Sequence, residues 1–206
     1  MSKPTIYGIS ASRAFRSIWA IEEAGIDYDH VPTSFQGDAQ SDEYRAVNPN
    51  ARIPALVDGD FKLFESMAIN MYLAKKYAPH LLPAGVDGEA QVYQWSVWGI
   101  SEIEPLQMQI VVQKFFTPQD KQDPAVIQRA ERGLDRPLKV LDARLAEHTY
   151  LLGDNFTMAD LSLAGVMDLL SMVGFDVSNW PNVQRWLADC YARDSFARAK
   201  KVGVEA

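Results

Sequence analysis

A proline turn and a short hairpin within residues 48–66 combine the residue types of a peptide-docking edge. Pro54 has no amide hydrogen, and it holds the residue before it in extended geometry. The N–H and C=O groups of Ile53 are therefore expected to face outward, where they can pair with something other than the sheet. Asp58-Gly59 is a tight-turn signal between two short apolar strands. The segment predicts main-chain pairing with a small extended peptide.

The hairpin leads directly into a helix that begins at Glu65-Ser66. The first amides of a helix have no partner inside the helix, and the helix dipole places positive charge at that end. Such an end favours a carboxylate. An ordinary alternative for Glu65 is a first-turn acid that the dipole stabilises. Together with the proline turn, this helix start predicts that the bound peptide is anionic.

Two serines, Ser10 and Ser12, follow the first apolar strand and precede a helix. A hydroxyl at such a position can donate to a negatively charged atom, or it can simply cap the helix. The Gly8–Ser10 segment also resembles the nucleophile elbow of serine hydrolases, but Ser12 stands where that motif has its second glycine. A hydrolase is therefore disfavoured, and capping remains the alternative for Ser12.

The composition limits the classes of partner and cofactor. The 206 residues carry a formal net charge of −7, which argues against a general nucleic-acid or anionic-membrane surface. No apolar run approaches the length of a membrane span, and the N-terminus lacks a signal-peptide core. Cys190 is the single cysteine, and His30, His80 and His148 show no metal-ligand spacing. We therefore expect a cytoplasmic protein with neither a disulfide framework nor a metal.

The elements around these motifs fall into two regions, of which residues 1–78 alternate strands and helices. Strands over Thr5–Ile9 and Tyr28–Pro32, joined through a helix over 12–24, imply a parallel pair. The hairpin adds two more strands, and a helix over 66–77 follows it. The predicted order is β-α-β-α-β-β-α. This order predicts an α/β domain with a mixed four-stranded sheet.

Beyond a linker at 79–88 that is rich in proline and glycine, the sequence has almost no strand signal. Long helices are predicted over 89–116 and 125–147, each with an internal proline that should bend or interrupt it. A later threonine and aspartate have capping-box spacing. These markers are Pro105, Pro137, Thr157 and Asp160. We therefore predict an all-helical bundle domain over 89–206.

With these motifs in this order, the whole chain resembles the cytosolic glutathione transferase superfamily, and it looks most like the serine-type phi and theta enzymes and their bacterial relatives. The residues that carry the resemblance are Tyr7-Gly8, Ser10, Ser12, Arg16, Asn48-Pro49, Ile53-Pro54, Phe64-Glu65-Ser66, Ala68-Ile69, Gly153-Asp154, Thr157 and Asp160. The resemblance implies a thioredoxin-like N-terminal domain, an all-helical C-terminal domain and a homodimer.

The resemblance also implies how glutathione would be held. Pro54 would be the cis-proline of the thioredoxin-like fold, which leaves the main chain of Ile53 to pair with the cysteinyl portion. Glu65 would face the α-amino group of the γ-glutamyl end, and Ser66 would face its α-carboxylate. Arg52 stands where related enzymes carry a glutamine or a lysine close to the tripeptide.

Ser12 matches the catalytic serine of the family, with Ser10 as the alternative. The pair of His and Lys that often grips the glycine carboxylate is missing, and Gln40 stands in that segment. The resemblance therefore implies a differently built glycine end. On the first long helix, Ser101 and Glu102 fall near positions that reach the other subunit's glutathione in dimeric relatives.

An apolar pocket for the second substrate is expected between the domains. Simple interior packing is the alternative for its residues, and it explains Met108 and Val112 at least as well. The predicted lining is Ile9, Phe35, Met108, Val112, Phe115 and Phe116. The implied activity is transfer of the glutathione thiolate to hydrophobic electrophiles, with peroxides as a second class of substrate. The alternative is a non-catalytic interaction module of the same fold. Disulfide reduction is disfavoured because no cysteine lies near the first helix.

Overall fold

The computed structural model describes residues 3–203, which form two compact units. The first unit comprises residues 3–82 and 191–203, and the second comprises residues 83–190. Along the chain, the first unit begins with β1 (Thr5–Tyr7), α1 (Phe15–Ala24), β2 (Asp29–Val31), α2 (Asp42–Arg45), β3 (Ala55–Asp58), β4 (Phe61–Phe64) and α3 (Ser66–Tyr77). This is the predicted order of elements.

The first unit is built on a mixed four-stranded sheet with the strand order β2-β1-β3-β4. β1 pairs parallel with β2 and antiparallel with β3, and β3 pairs antiparallel with β4. Ile6 and Leu56 are fully buried on neighbouring strands, and α1 packs against α3. The predicted α/β class and mixed sheet are confirmed.

The turn between β3 and β4 differs by one residue from the prediction. Asp58 pairs with Phe61 at the end of the ladder, so the two loop residues are Gly59 and Asp60 rather than Asp58 and Gly59. Gly59 has a φ of 62°, which suits the first loop position of a tight hairpin. Asp58 is thereby left at the end of β3, where its side chain can reach α3.

The Asp58 carboxylate ties the hairpin to α3. Its Oδ2 atom accepts hydrogen bonds from the Tyr72 hydroxyl at 2.8 Å, from Lys76 Nζ at 2.7 Å and from the Tyr77 hydroxyl at 2.5 Å. Burial by itself would raise the pKa of Asp58, but the donors on Lys76, Tyr77 and Tyr72 outweigh burial and hold the pKa below its ordinary value. The ionised form is therefore the one that the fold stabilises.

Replacement of this carboxylate should destabilise the protein in a pH-dependent way. A lowered pKa adds stability that is present above the unfolded-state pKa and is lost as the pH falls through the folded-state pKa. Asp58→Asn should lower the free energy of unfolding by roughly 1–3 kcal/mol at neutral pH, and the loss should shrink below about pH 4. Urea titrations across this range measure it, with the exposed Asp60→Asn as the control. A loss that does not depend on pH would contradict the assignment.

The second unit is helical. Its α-helices are α4 (Gly85–Trp98), α5 (Glu104–Val111), α6 (Pro124–Ala146), α7 (Met158–Met172) and α8 (Pro181–Tyr191), the last of which ends at the first residue of segment 191–203. The helix predicted over 89–116 lies within a continuous helical stretch from Gly85 to Phe116, in which π-helical turns cover Gly99–Ile103 and Val112–Phe116. The first π turn ends two residues before Pro105, whose missing amide hydrogen removes one α-helical hydrogen bond.

The start of α4 and the course of α6 at Pro137 both bear on the sequence prediction. α4 begins at Gly85, inside the predicted linker, and a Cβ atom at Gly88 would lie 2.6 Å from the Cβ of Pro83. The glycine therefore allows the preceding chain to lie close against the helix instead of breaking it. Pro137 lies buried inside α6, which runs without a break from Pro124 to Ala146. Of the two outcomes predicted there, a kink or a break, the break is wrong.

The predicted capping box at the start of α7 is present. One oxygen of Asp160, Oδ2, accepts from the main-chain N–H of Thr157 at 2.9 Å and from its hydroxyl at 2.8 Å. The other, Oδ1, accepts from the N–H of Leu151 at 2.8 Å and from Nε1 of Trp186 at 2.9 Å. Burial raises the pKa of Asp160, and these four donors oppose that rise by favouring the ionised form. One buried carboxyl group thus joins a loop, α7 and α8.

Residues 191–203 pack with the first unit, which contains the sheet. The predicted helical domain over 89–206 included this segment. The last helix, α9 (Asp194–Ala199), packs against α1. Phe196 lies edge-on to Phe15 and Trp19, with ring centroids 5.3 Å and 5.1 Å apart, and Nε1 of Trp19 donates to Ser195 Oγ at 3.0 Å. The burial of these rings accounts for the position of α9.

Within residues 3–203, no helix is long and apolar enough to cross a membrane. In the same part of the chain, histidine, cysteine, aspartate and glutamate side chains form no group that could hold a metal ion.

Candidate functional site

Three loops leave the sheet of the first unit at the same end. The register pairs Tyr7 with Ala55, and Ala55 with Phe64. The end of β1, the start of β3 and the end of β4 therefore lie side by side. The segments that continue from them are residues 8–14, residues 48–54 and the start of α3. The sheet thus brings together Ser12, Ile53 and Ser66, which are far apart in the sequence.

Gly8 allows two of these loops to approach each other closely. It has a φ of 131°, and a Cβ atom built on it would lie 2.3 Å from the Cβ of Ala14 and 3.5 Å from the Cβ of Ile53. Only glycine fits this position without a shift of the chain. The absence of a side chain therefore places residues 8–14, which we name the serine loop, directly beside the proline turn at residues 48–54.

The proline turn has the cis geometry that the family resemblance implied. The peptide bond between Ile53 and Pro54 is cis, and the Ile53 side chain is buried. Within residues 3–203, neither the N–H nor the C=O of Ile53 forms a hydrogen bond. The Arg52 carbonyl, by contrast, accepts from the Tyr44 hydroxyl at 2.7 Å and from Nδ2 of Asn48 at 2.6 Å. The turn is therefore held from one side, while its central peptide groups keep free hydrogen-bonding capacity.

Tyr44 is a site residue that the sequence analysis missed. It lies in α2, is 5% exposed and contacts the ring of Tyr7 at a centroid distance of 5.8 Å. Burial raises the pKa of Tyr44 to about 12, so the phenol remains a neutral donor at physiological pH. Its only sequence signal was an aromatic residue in a polar segment, and that pattern does not indicate its hydrogen-bond partner.

The helix start at Glu65 and Ser66 presents one exposed and one buried side chain. Glu65 is exposed and has φ 71° and ψ 115°, a conformation that non-glycine residues rarely adopt and that costs roughly 1–3 kcal/mol. Ser66 is the first residue of α3 and is 7% exposed. Its carbonyl accepts from Ser17 Oγ on α1 at 3.3 Å. The Glu65 side chain and the first amides of α3 are therefore displayed at the same end of the sheet.

The two candidate serines have different environments. Ser10 is 4% exposed, and its hydroxyl donates to the Lys200 carbonyl at 3.3 Å. Ser12 is half-buried; its hydroxyl donates to the Ile9 carbonyl at 2.7 Å and accepts from the Ala14 N–H at 3.1 Å. α1 begins after Ser12, at Phe15, with Ala14 at its N-cap position. Ser12 is therefore the more accessible hydroxyl, and it also organises the turn before the helix.

Gln40 and Arg52 lie on the rim of the proline turn. Gln40 is exposed at the end of a short 3₁₀ turn, where Nε2 donates to the Ala51 carbonyl at 3.3 Å and Oε1 accepts from Arg45 at 2.8 Å. The side-chain amide of Gln40 thus hydrogen-bonds to Ala51, a residue with a positive φ of 52°. The Arg52 side chain is exposed. Both remain predicted ligands of the tripeptide.

The remaining predicted residues are placed as follows. Ser101 and Glu102 are exposed on the first π turn, whereas the nearby Glu104 is buried. Ile9 and Met108 are half-buried, and the other predicted pocket residues are 41–54% exposed, namely Phe35, Val112, Phe115 and Phe116. Ile9 and Phe35 belong to the first unit, and the other four belong to the second. The predicted pocket and cross-subunit contact both remain predictions.

Comparison with known proteins identifies the family. Residues 2–75 match the family described as glutathione S-transferase, N-terminal domain, and residues 103–194 match glutathione S-transferase, C-terminal domain. Glutathione S-transferase 4 of Zea mays is 37% identical over 211 residues, which cover 98% of this chain and 95% of that relative. The chain belongs to the glutathione S-transferase family.

Solved structures of the glutathione S-transferase family superimpose on the whole chain. A theta class glutathione S-transferase from Xanthomonas axonopodis pv. citri, solved with glutathione bound, has a TM-score of 0.90 at 31% identity and covers 98% of this chain and 99% of its own. Glutathione S-transferase-I bound with lactoylglutathione has a TM-score of 0.87 at 31% identity, with coverages of 97% and 99%. The predicted family, fold class and enzyme class are confirmed, and the protein is a glutathione transferase.

Proposed function

We propose that this glutathione transferase binds glutathione as an added strand along Ile53 and activates its thiol with Ser12. The observation that carries the proposal is the free N–H and C=O of Ile53, placed beside the serine loop by Gly8. An extended cysteinyl residue can pair with both groups in the manner of strand addition. Two solved relatives are described with glutathione bound, which supports glutathione as the co-substrate.

The γ-glutamyl end of glutathione would lie at the start of α3. Its α-carboxylate can accept from the Ser66 hydroxyl and from the first amides of the helix, where the dipole adds roughly 0.3–1 kcal/mol. Its α-ammonium group carries the opposite charge to the exposed Glu65 carboxylate. At the other end, the exposed Arg52 guanidinium can meet the glycine carboxylate, with Gln40 as a second polar group. These charges match those of the tripeptide at both ends.

Activation of the thiol requires a change at Ser12. A free thiol has a pKa of about 8.5, so only a few per cent is thiolate at neutral pH. A hydroxyl that donates to the thiolate contributes roughly 1.5–3 kcal/mol, or about one to two pKa units. Ser12 has one hydroxyl hydrogen, which now points to the Ile9 carbonyl. That hydrogen must rotate towards the sulfur, while the oxygen can keep accepting from the Ala14 N–H.

The activated thiolate would then react with an apolar electrophile. The sulfur lone pair forms a bond to the electrophilic carbon, and the displaced group leaves with its electron pair, so no additional oxidant or reductant is needed. With a peroxide, the sulfur would instead bond to one oxygen while the O–O bond breaks and the other oxygen leaves as an alcohol or water. The resulting sulfenic acid would condense with a second glutathione thiol to give glutathione disulfide and water. The predicted aromatic and aliphatic lining, which includes Phe35, Phe115 and Phe116, suits varied hydrophobic substrates.

We also propose that the protein acts as a homodimer in the cytoplasm. Val86, Tyr93 and Val97 on α4 and Ile100 in the adjoining π turn recur at helical spacing and are 37–84% exposed, which suits a face that a second copy covers. Light scattering should give a mass of about twice 23.1 kDa. Cys190, the single cysteine of the sequence, is buried, which fits a reducing compartment.

Retention on immobilised glutathione, followed by an assay with chlorodinitrobenzene, tests the proposed function. Retention and specific elution by glutathione, together with conjugation above the uncatalysed rate, are expected. Retention without turnover would favour the non-catalytic interaction module, and absence of both would contradict the site. Reduction of mixed disulfides is expected to be negligible, since the lone Cys190 is buried and distant in sequence from α1.

Removal of the Tyr44 hydroxyl should weaken glutathione binding without affecting the chemistry directly. Tyr44→Phe keeps the ring and removes one hydrogen bond to the Arg52 carbonyl, worth roughly 0.5–1.5 kcal/mol. The Kd for glutathione should rise about three- to tenfold, while kcat at saturating glutathione changes little. Calorimetry measures the Kd. Tyr28→Phe is the control, because it removes a hydrogen bond to Glu22 elsewhere in the same unit and should leave the Kd unchanged. Equal effects of the two variants would refute a positioning role for Tyr44.

A further inference from the structure

The chain after α9 turns back onto the loop that carries the candidate serines. Lys200–Gly203, which we name the C-terminal bracket, continues from α9 through turn hydrogen bonds. The bracket accepts two hydrogen bonds from Ser10. The Ser10 hydroxyl donates to the Lys200 carbonyl at 3.3 Å, and the Ser10 N–H donates to the Val202 carbonyl at 3.4 Å. The central residue of the serine loop is therefore bonded to a segment 190 residues away.

Two further contacts hold the bracket against the same loop. The Lys200 ammonium lies over the Phe15 ring, 4.2 Å from its centroid, in a cation–π contact. Gly203 lies against His30, and a Cβ atom built on Gly203 would come within 2.9 Å of the His30 ring carbon Cε1. Nε2 of His30 in turn lies 2.7 Å from the Gly8 carbonyl oxygen. The bracket thus contacts Ser10 directly and contacts the group that pairs with Gly8.

These contacts bear on Ser12 because the loop is short. Gly8 and Ser10 lie within four residues before Ser12, and the Ser12 hydroxyl is itself bonded to the carbonyl of Ile9, which lies between them. Without the bracket, the Ser10 hydroxyl and N–H would exchange both of their protein partners for water. The centre of the loop would then lose two hydrogen bonds that fix its position, and the loop could move. A displacement of about 1 Å at a catalytic group can cost 10²-fold in rate.

We propose that the C-terminal bracket is a positioning segment that holds Ser12 in place to stabilise the glutathione thiolate. This inference rests on the proposed function and adds to it a requirement for residues at the far end of the chain. The bracket bonds to loop 8–12, whereas the Tyr44 and Asn48 donors hold the proline turn. The bracket should therefore affect thiol activation far more than glutathione binding.

Two truncations test the bracket. One chain ends after Ala199 and lacks the bracket; its matched control ends after Gly203 and keeps every contact described above. Activity is measured across pH with glutathione saturating and the concentration of chlorodinitrobenzene varied. The ratio kcat/KM for chlorodinitrobenzene then reports the apparent pKa of the thiol in the glutathione complex. The shorter chain should lose about tenfold in kcat and raise that apparent pKa by about one unit. Its Kd for glutathione should stay within about threefold, and the control should match the full chain.

Gly203→Ala tests the same idea in a full-length chain. The added Cβ would meet His30 at 2.9 Å, and the residue has a φ of 69°, so the bracket must shift. Its apparent thiol pKa should rise in the same direction as in the truncated chain. An unchanged thiol pKa in this variant, with glutathione bound, would overturn the proposal even if the truncated chain failed to fold. A full-length protein that neither binds nor conjugates glutathione would instead refute the proposed function.

Discussion

Ser12→Ala is expected to lower kcat by about tenfold or more while leaving the Kd for glutathione within about threefold. The substitution removes the one hydroxyl hydrogen that can turn from the Ile9 carbonyl to the sulfur. A hydrogen bond to a charged acceptor is worth roughly 1.5–3 kcal/mol, which corresponds to a rise of about one to two units in the pKa of the bound thiol. The main-chain groups of Ile53, which would hold the tripeptide, are not altered.

The rise in pKa separates thiol activation from the structural role of Ser12. The loss of activity should be greatest near neutral pH and should diminish at pH values above the new thiol pKa, where thiolate forms without help. Ser12 also accepts from the Ala14 N–H, so the melting temperature of the variant is recorded as well. Ser12→Thr retains a hydroxyl and should restore most of the rate. Full activity in Ser12→Ala, together with an inactive Ser10→Ala, would move the assignment to Ser10.

Asp160→Asn should be the most destabilising of the proposed substitutions, with a loss of roughly 3–4 kcal/mol in the free energy of unfolding. Four donors converge on the two carboxyl oxygens, and an amide offers only one oxygen. In either orientation of the amide, its NH₂ group takes the place of one carboxylate oxygen. It then faces an N–H group that donated to that oxygen, inside a fully buried site. At least one donor of Leu151, Thr157 or Trp186 is then left unpaired, and two like groups face each other.

Chemical denaturation measures the free energy of unfolding of Asp160→Asn. The control is Asp154→Asn, because Asp154 is an exposed acid in the same region. Asp154→Asn should change the free energy of unfolding by less than about 0.5 kcal/mol. Because Asp160 links the loop at Leu151 to α7 and α8, its loss should lower the stability of the second unit first. A loss below about 1 kcal/mol would show that the four hydrogen bonds contribute little.

Features set by the backbone were predictable from the sequence. Pro54 restricts the conformation of Ile53, and α3 spans Ser66–Tyr77 as the helix signals predicted. The capping box depends on two residues three positions apart, so its spacing was visible in the sequence. The order of strands and helices followed from local periodicity in the same way. Each of these features is determined by groups only a few residues apart.

Other features depend on groups that only the folded chain brings together. The different accessibility of the two serines is an example. Ser10 is buried, and its hydroxyl donates to the carbonyl of Lys200, 190 residues along the chain. The packing of α9 on α1 depends on Trp19 and Ser195, 176 residues apart. A short stretch of sequence does not indicate such pairs, because they are stabilised only after distant apolar surfaces have come into contact. The sequence therefore determined the family and the candidate residues of the site, and tertiary packing decided which of the two hydroxyls is more accessible.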